Sequence, residues 1–170
     1  MIRDVLNADR KTIDSWCEAH NVKVHHLFRA AFVYVMGILC RQEKLAYFSS
    51  HAGRDKETRN AVGMFVKSVP LVDTVDGNAR VLDYIRKFGE RQLVRMSAYP
   101  FTHFCADIKK EPVISFNFMG VPSFQETLEI GGETVPCGVL VRGTTNADLS
   151  VHIYWHEDEY EIRMESSEGL

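Results

Sequence analysis

Apolar residues change their spacing along this chain, and each change marks an element. Ile13, Trp16 and Cys17 fall at i, i+3 and i+4, which lays one stripe along an amphipathic surface helix that Asn7 or Asp9 can cap and that reaches about His20. Between Val24 and Gln42, Leu27, Phe28, Ala31, Phe32, Val35, Ile38 and Leu39 cover most of the circumference, the pattern of a central buried helix. Leu45 to Ser50 reads as a strand, and Val62 to Leu71 as a second. Asn78 then caps a third helix with Val81, Leu82, Ile85, Phe88, Leu93 and Met96 inward, until Pro100 ends it.

The remainder is β-patterned. Ile114, Phe116 and Phe118 face one way and Ser115 and Asn117 the other, within a strand from Val113 to Met119. Gly120 to Gly138 carries Pro122, Gly131, Gly132 and Pro136, and so reads as a loop or exposed hairpin. Leu149, Val151, Ile153 and Trp155 alternate with Ser150, His152, Tyr154 and His156. Beyond the acidic turn Glu157 to Glu159 the pattern resumes with Tyr160, Ile162 and Met164, which predicts a half-buried antiparallel hairpin. No repeat, low-complexity tract or linker interrupts the series, so the expectation is one domain over residues 1–170. Its class is α/β (α+β), a two-layer sandwich of helices on a mixed sheet.

Composition narrows the partners. With 45% hydrophobic residues, 170 residues suffice for one core. The net charge of -3, from 20 Lys and Arg against 23 Asp and Glu, argues against a nucleic-acid binder, which needs clustered cations. The longest apolar stretch, Ala30 to Cys40, falls well short of the roughly 20 residues of a membrane span, and Met1-Ile2-Arg3-Asp4 does not open a signal peptide. Cys17, Cys40, Cys105 and Cys137 form no C-x-x-C, so a reduced, cytoplasmic setting is expected, without a membrane.

Several residue groups invite chemistry. His25-His26 precedes Leu27-Phe28-Arg29-Ala30-Ala31 at the start of the buried helix, a place for packing and not for an acid–base pair. Cys17, His20, His25 and His26 are metal-competent, but match no zinc spacing; a core thiol and surface imidazoles are the simpler account. His103 and Cys105 could share a face, yet Phe101 and Phe104 around them suggest packing and no third orienting group is identifiable. Gly131-Gly132 is a hairpin turn and not a phosphate loop, and no G-x-G-x-x-G occurs. Ser49-Ser50-His51-Ala52-Gly53-Arg54 ends a strand, where ligands often sit, although a surface loop turned by Gly53 with Arg54 in an ion pair explains the same residues.

The stretch from Gly53 to Leu71, GRDKETRNAVGMFVKSVPL, resembles the C-terminal half of the condensation domains of nonribosomal peptide synthetases, in which a Gly-Arg and a Gly-x-Phe-Val segment occur in this order. The resemblance extends along most of the chain. A helix ending in Asn21-Val22, a long Ala-rich helix, the strand into Gly53-Arg54, Val62-Gly63-Met64-Phe65-Val66, a helix ending in Tyr99-Pro100-Phe101 and the strand Asp148-Leu149-Ser150-Val151 keep the family's order. Departures are Lys67 where Asn is usual, Thr102 where Glu is usual, and Ala106-Asp107-Ile108-Lys109-Lys110 in place of Arg-Asp-x-Ser-Arg.

What the resemblance implies is a chloramphenicol-acetyltransferase-like half domain. The family's His-His-x-x-x-Asp-Gly motif belongs to the N-terminal half and is absent from this sequence, so no catalytic residue is expected here. The implied role is one wall of a tunnel in which amide bonds form between aminoacyl or peptidyl thioesters, with Gly53, Arg54, Gly63, Met64, Phe65, Tyr99, Pro100 and Phe101 as tunnel candidates. Implied partners are the N-terminal half, peptidyl carrier proteins and an adenylation domain. No cofactor or metal would be bound directly, and the phosphopantetheine arms would come from the carriers. A non-catalytic carrier-docking module and an acyltransferase of the same superfamily acting on a free acceptor are the alternatives.

Overall fold

A computed structural model of the chain describes residues 2–54, 56–58, 60–63, 65–98, 113–119, 127–136 and 147–167. Strand β1 (Ile2–Asp9) leads into helix α1 (Arg10–Ala19), followed by α2 (Val24–Cys40), β2 (Lys44–His51), β3 (Lys67–Thr74) and α3 (Val81–Ala98). The second half contributes β4 (Ile114–Phe118), the pair β5 (Thr127–Ile130) and β6 (Glu133–Pro136), and finally β7 (Leu149–Trp155) and β8 (Glu159–Ser166). Six strands form one mixed sheet in the order β1-β8-β7-β4-β2-β3. Its centre, β2-β4-β7, is parallel, and the pairs β2-β3, β7-β8 and β1-β8 are antiparallel.

The core lies between this sheet and the helices. Val33 and Phe32 of α2, Ile85 and Phe88 of α3, and Tyr47, Leu71, Phe116, Val151, Ile153 and Tyr160 of the sheet form one buried cluster, against which Ile13 and Trp16 of α1 pack. Period-2 alternation puts these strand residues on a single face, which burial of apolar area stabilises. The sandwich expected from the sequence is therefore observed.

Local chemistry sets the helix ends. Asp9 caps α1, its carboxylate accepting from the Thr12 amide at 2.7 Å, and this hydrogen bond holds the Asp9 carboxyl below its ordinary range. Helix α2 stops at Cys40 because Arg41 takes the left-handed conformation at φ 53°, two residues short of the expected end. Ahead of α3 it is Asp76, not Asn78, that receives backbone amides, those of Asn78 and Ala79. The helix begins at Val81, whose side chain is exposed and not inward, while Tyr84 joins Ile85 and Phe88 in the core. The side chains of Leu93 and Met96 lie outside the described residues.

Three further expectations change. Val62, Gly63, Phe65 and Val66 are not strand: β3 starts at Lys67 and runs on to Thr74. The N-terminal strand β1, unannounced by any alternation, forms by pairing along its whole length with β8. Helix α2 is buried along one side only; Val35, Ile38 and Leu39 are exposed, and Val35 and Leu39 border an open apolar groove of about 360 Å³ against Phe116, Leu149 and Met164. The β7–β8 hairpin is as expected, but both its faces are packed, since Ser150 and Tyr154 are buried opposite Val151 and Ile153. The exposed hairpin read between Gly120 and Gly138 is β5–β6, turning at Gly131 and Gly132 with φ of 62° and 87°.

Candidate functional site

The parallel strands β2, β4 and β7 end on one edge of the sheet, where ligands gather in parallel sheets. Strand β2 leaves that edge as Ser50, His51, Ala52, Gly53 and Arg54. Asn117 of β4, itself buried, accepts from the Ser50 amide at 2.6 Å and so fastens the end of β2 to its neighbour. His51 Nδ1 accepts from the Gly53 amide at 3.1 Å, and burial, followed by the charge of Lys67, its partner across the β2–β3 ladder, pushes the imidazole below its ordinary pKa. The ring is accordingly neutral at pH 7.

Gly53 is required where it stands. Its φ is 65°, and a Cβ there would lie 1.9 Å from the carbonyl oxygen of Phe65. The chain leaving β2 and the chain approaching β3 therefore touch backbone to backbone. Arg54 closes the loop between them: Nη1 donates to the carbonyls of Thr58 at 2.8 Å and Ala61 at 2.7 Å, and Nη2 to that of Gly63 at 3.2 Å. Its guanidinium carbon sits 4.4 Å from the centre of the Phe65 ring. Gly63, at φ 151°, faces the same ring, which a Cβ would approach to 3.3 Å.

Four of the tunnel candidates, Gly53, Arg54, Gly63 and Phe65, thus converge on one loop at the carboxyl edge. Met64, Tyr99, Pro100 and Phe101 lie outside the described residues, as do His103 and Cys105. The four metal-competent residues do not assemble: no cluster able to hold a metal occurs among the described residues. Cys17 is a buried free thiol, pushed up in pKa by burial and then by Asp14. His26 is buried against Gly89 of α3, and its Nε2 lacks a hydrogen-bond partner among the described residues. Burial, then its cationic neighbours, lowers its pKa to about 4. His25 stands edge-on to it, 4.1 Å between ring centres. This pair packs a helix, as its sequence context indicates.

Sequence reasoning missed the Asn117 anchor and a buried polar group beneath the sheet. Tyr47 Oη accepts from Arg29 Nε at 2.5 Å and donates to Asp73 Oδ2 at 2.6 Å, joining α2, β2 and β3. A signal was present, since Val69, Leu71 and Asp73 share the inward parity of β3. Burial raises the Tyr47 phenol far above its ordinary range, so it stays a donor at all working pH values.

Residues 4–170 match the family model described as Condensation domain. This chain belongs to the condensation-domain family. Among characterised relatives it is 27% identical over 167 residues to a plipastatin synthase protein of Bacillus subtilis (strain 168), covering 94% of this chain and 6% of that protein. It is 23% identical over 101 residues to a linear gramicidin synthase protein of Brevibacillus parabrevis, covering 57% of this chain and 1% of that protein. The condensation-domain chain thus spans a small fraction of the relatives it matches. Its fold is that of the first condensation domain of the CDA synthetase, with a TM-score of 0.69 at 13% identity over 99% of this chain and 41% of the other. A four-domain nonribosomal peptide synthetase bound to AMP and glycine gives a TM-score of 0.74 at 13% identity, over 98% of this chain and 15% of the other. Among the described residues no single helix is long and apolar enough to cross a membrane.

Proposed function

We propose that this chain is the C-terminal part of a nonribosomal peptide synthetase condensation domain and supplies one wall of the tunnel in which a carrier-bound acceptor amine attacks a carrier-bound donor thioester. The observation that carries the reading is the closed loop from Gly53 to Phe65 at the carboxyl edge of the parallel strands, in a chain matched to the family over residues 4–170. The acceptor nitrogen would form the new amide bond with the thioester carbonyl carbon, releasing the donor's pantetheine thiol. The His-His-x-x-x-Asp-Gly motif that would position the amine and move its proton is absent from this sequence, and its partner half would bring it.

In this reading the loop contributes shape. The backbone carbonyls of Thr58, Ala61 and Gly63 are turned onto Arg54, and Gly63 places no side chain against the Phe65 ring. The partners are the N-terminal half, two peptidyl carrier proteins whose phosphopantetheine arms enter the tunnel, and an adenylation domain of the same cytoplasmic synthetase. Donor-loaded and acceptor-loaded carriers test this. The 170-residue chain alone forms no dipeptidyl thioester above the uncatalysed rate, and the same chain joined to a half bearing an intact His motif does. Turnover by the isolated chain, or none by the joined protein, would overturn it.

A further inference from the structure

Arg54 looks like a cation offered to a ligand at the carboxyl edge of a parallel sheet, and its geometry says otherwise. Three carbonyl oxygens from Thr58, Ala61 and Gly63 lie within 3.2 Å of its two terminal nitrogens, and its flat face covers the Phe65 ring. Only a guanidinium can donate along several directions in one plane while stacking on that plane; an ammonium is a point charge. Immediately before it, Gly53 admits the Phe65 carbonyl to a place where any Cβ would stand 1.9 Å away. The two adjacent residues act on the two ends of one short path, glycine by yielding space and arginine by gathering carbonyls.

We propose that Arg54 is a positioning residue that sets the shape of the tunnel wall at Gly63 and Phe65, and not a binding site for the phosphate or thioester of an incoming arm. The proposal rests on the tunnel-wall reading above. Its consequence is that charge alone cannot replace Arg54. The loop is exposed whereas the sheet and helices beneath it form a packed core, so loss of the Arg54 clamp should loosen the loop and leave the core intact.

The test uses the complete synthetase module with Arg54→Lys, Arg54→Gln and Phe65→Leu, the last removing the stacked ring but no hydrogen-bond donor. Hydrogen exchange reads the amides of residues 60 to 66, and condensation kinetics read kcat apart from KM for each carrier. Expected are faster exchange in all three variants and a kcat lower by about tenfold in Arg54→Lys and Arg54→Gln alike, with carrier KM within about twofold. Melting temperatures should stay near that of the parent, because the core is untouched. Recovery of kcat by Arg54→Lys, or a raised and salt-dependent carrier KM in Arg54→Gln, would overturn the proposal in favour of a cation site. Loosened loops with undiminished condensation would instead overturn the tunnel-wall reading, leaving Arg54 a purely structural clamp.

Discussion

Arg29 Nη2 lies 3.1 Å from Asp73 Oδ2, with 5% of Arg29 and 1% of Asp73 exposed. This pair ties the central helix to the edge strand β3 from below, while Tyr47 bonds to both and Arg91 approaches the other carboxylate oxygen at 3.5 Å. Removing one member of such a pair leaves the other charge buried, which costs more than the pair itself contributes. Asp73→Ala should therefore destabilise the chain by about 3–5 kcal/mol in chemical denaturation. Asp73→Leu combined with Arg29→Met should lose less than the sum of its single changes, by roughly 1–3 kcal/mol of coupling. Additive losses would mean that the two charges are independently satisfied.

His26 makes stability depend on pH. Its pKa falls from 6.5 to about 4 on folding because it is buried and because His25, Lys23 and Arg29 around it disfavour a further positive charge. The unfolded chain therefore takes up this proton first as the pH drops, and the native state loses ground between pH 6.5 and about 4, with full stability above that window. The loss attributable to this ring should be roughly 2–3 kcal/mol across the window. Subtracting the denaturation curves of His26→Leu from those of the parent isolates it, since the other histidines titrate in both. A difference that stays constant from pH 7 to 4 would refute the assignment.

Gly37 shows a glycine needed for packing within a helix. A Cβ there would lie 2.1 Å from Cγ2 of Val75, so α2 rests directly on the residue that follows β3. In a helix interior Gly→Ala ordinarily gains about 1 kcal/mol, yet overpacking costs about 1–3 kcal/mol and should reverse the sign. Gly37→Ala is expected to lower the midpoint of denaturation, and Gly37→Ala with Val75→Ala to recover part of the loss. A stabilised single variant would show that Val75 moves aside freely.

Residue patterning disclosed the fold wherever structure is local. The β7–β8 hairpin follows from alternation alone, and α1 from its stripe and Asp9. Non-local pairing was not legible: Ile2 to Asp9 has no period of its own and becomes a strand because β8 offers a free edge along its length. The error at Val62 to Val66 has a single cause. Its β-branched residues favour a strand, but the carbonyls of Ala61 and Gly63 are taken by Arg54, and only from Lys67 does pairing with β2 begin. At the candidate site, Gly-Arg and Gly-x-Phe were visible as a motif, whereas the contact that makes Gly53 necessary, a carbonyl twelve residues away, was not.

That contact can be weighed against a glycine of nearly the same backbone conformation. Gly53 and Gly131 have φ of 65° and 62°, so alanine at either meets the same left-handed penalty of about 1–2 kcal/mol. Around Gly131 nothing among the described residues lies within 4 Å of an added Cβ, and its hairpin is exposed; at Gly53 the same atom would stand 1.9 Å from the Phe65 oxygen. Neither backbone can retreat cheaply, because Asn117 holds Ser50 on one side and β3 begins at Lys67 on the other. Gly131→Ala should cost about 1 kcal/mol, or less if the hairpin opens locally. Gly53→Ala should cost roughly 3 kcal/mol or more, the strain of the left-handed backbone adding to that of overpacking. Chemical denaturation of the two variants under one condition decides the matter, and equal losses would show that the loop tolerates displacement of Phe65, leaving Gly53 with no role beyond its own turn.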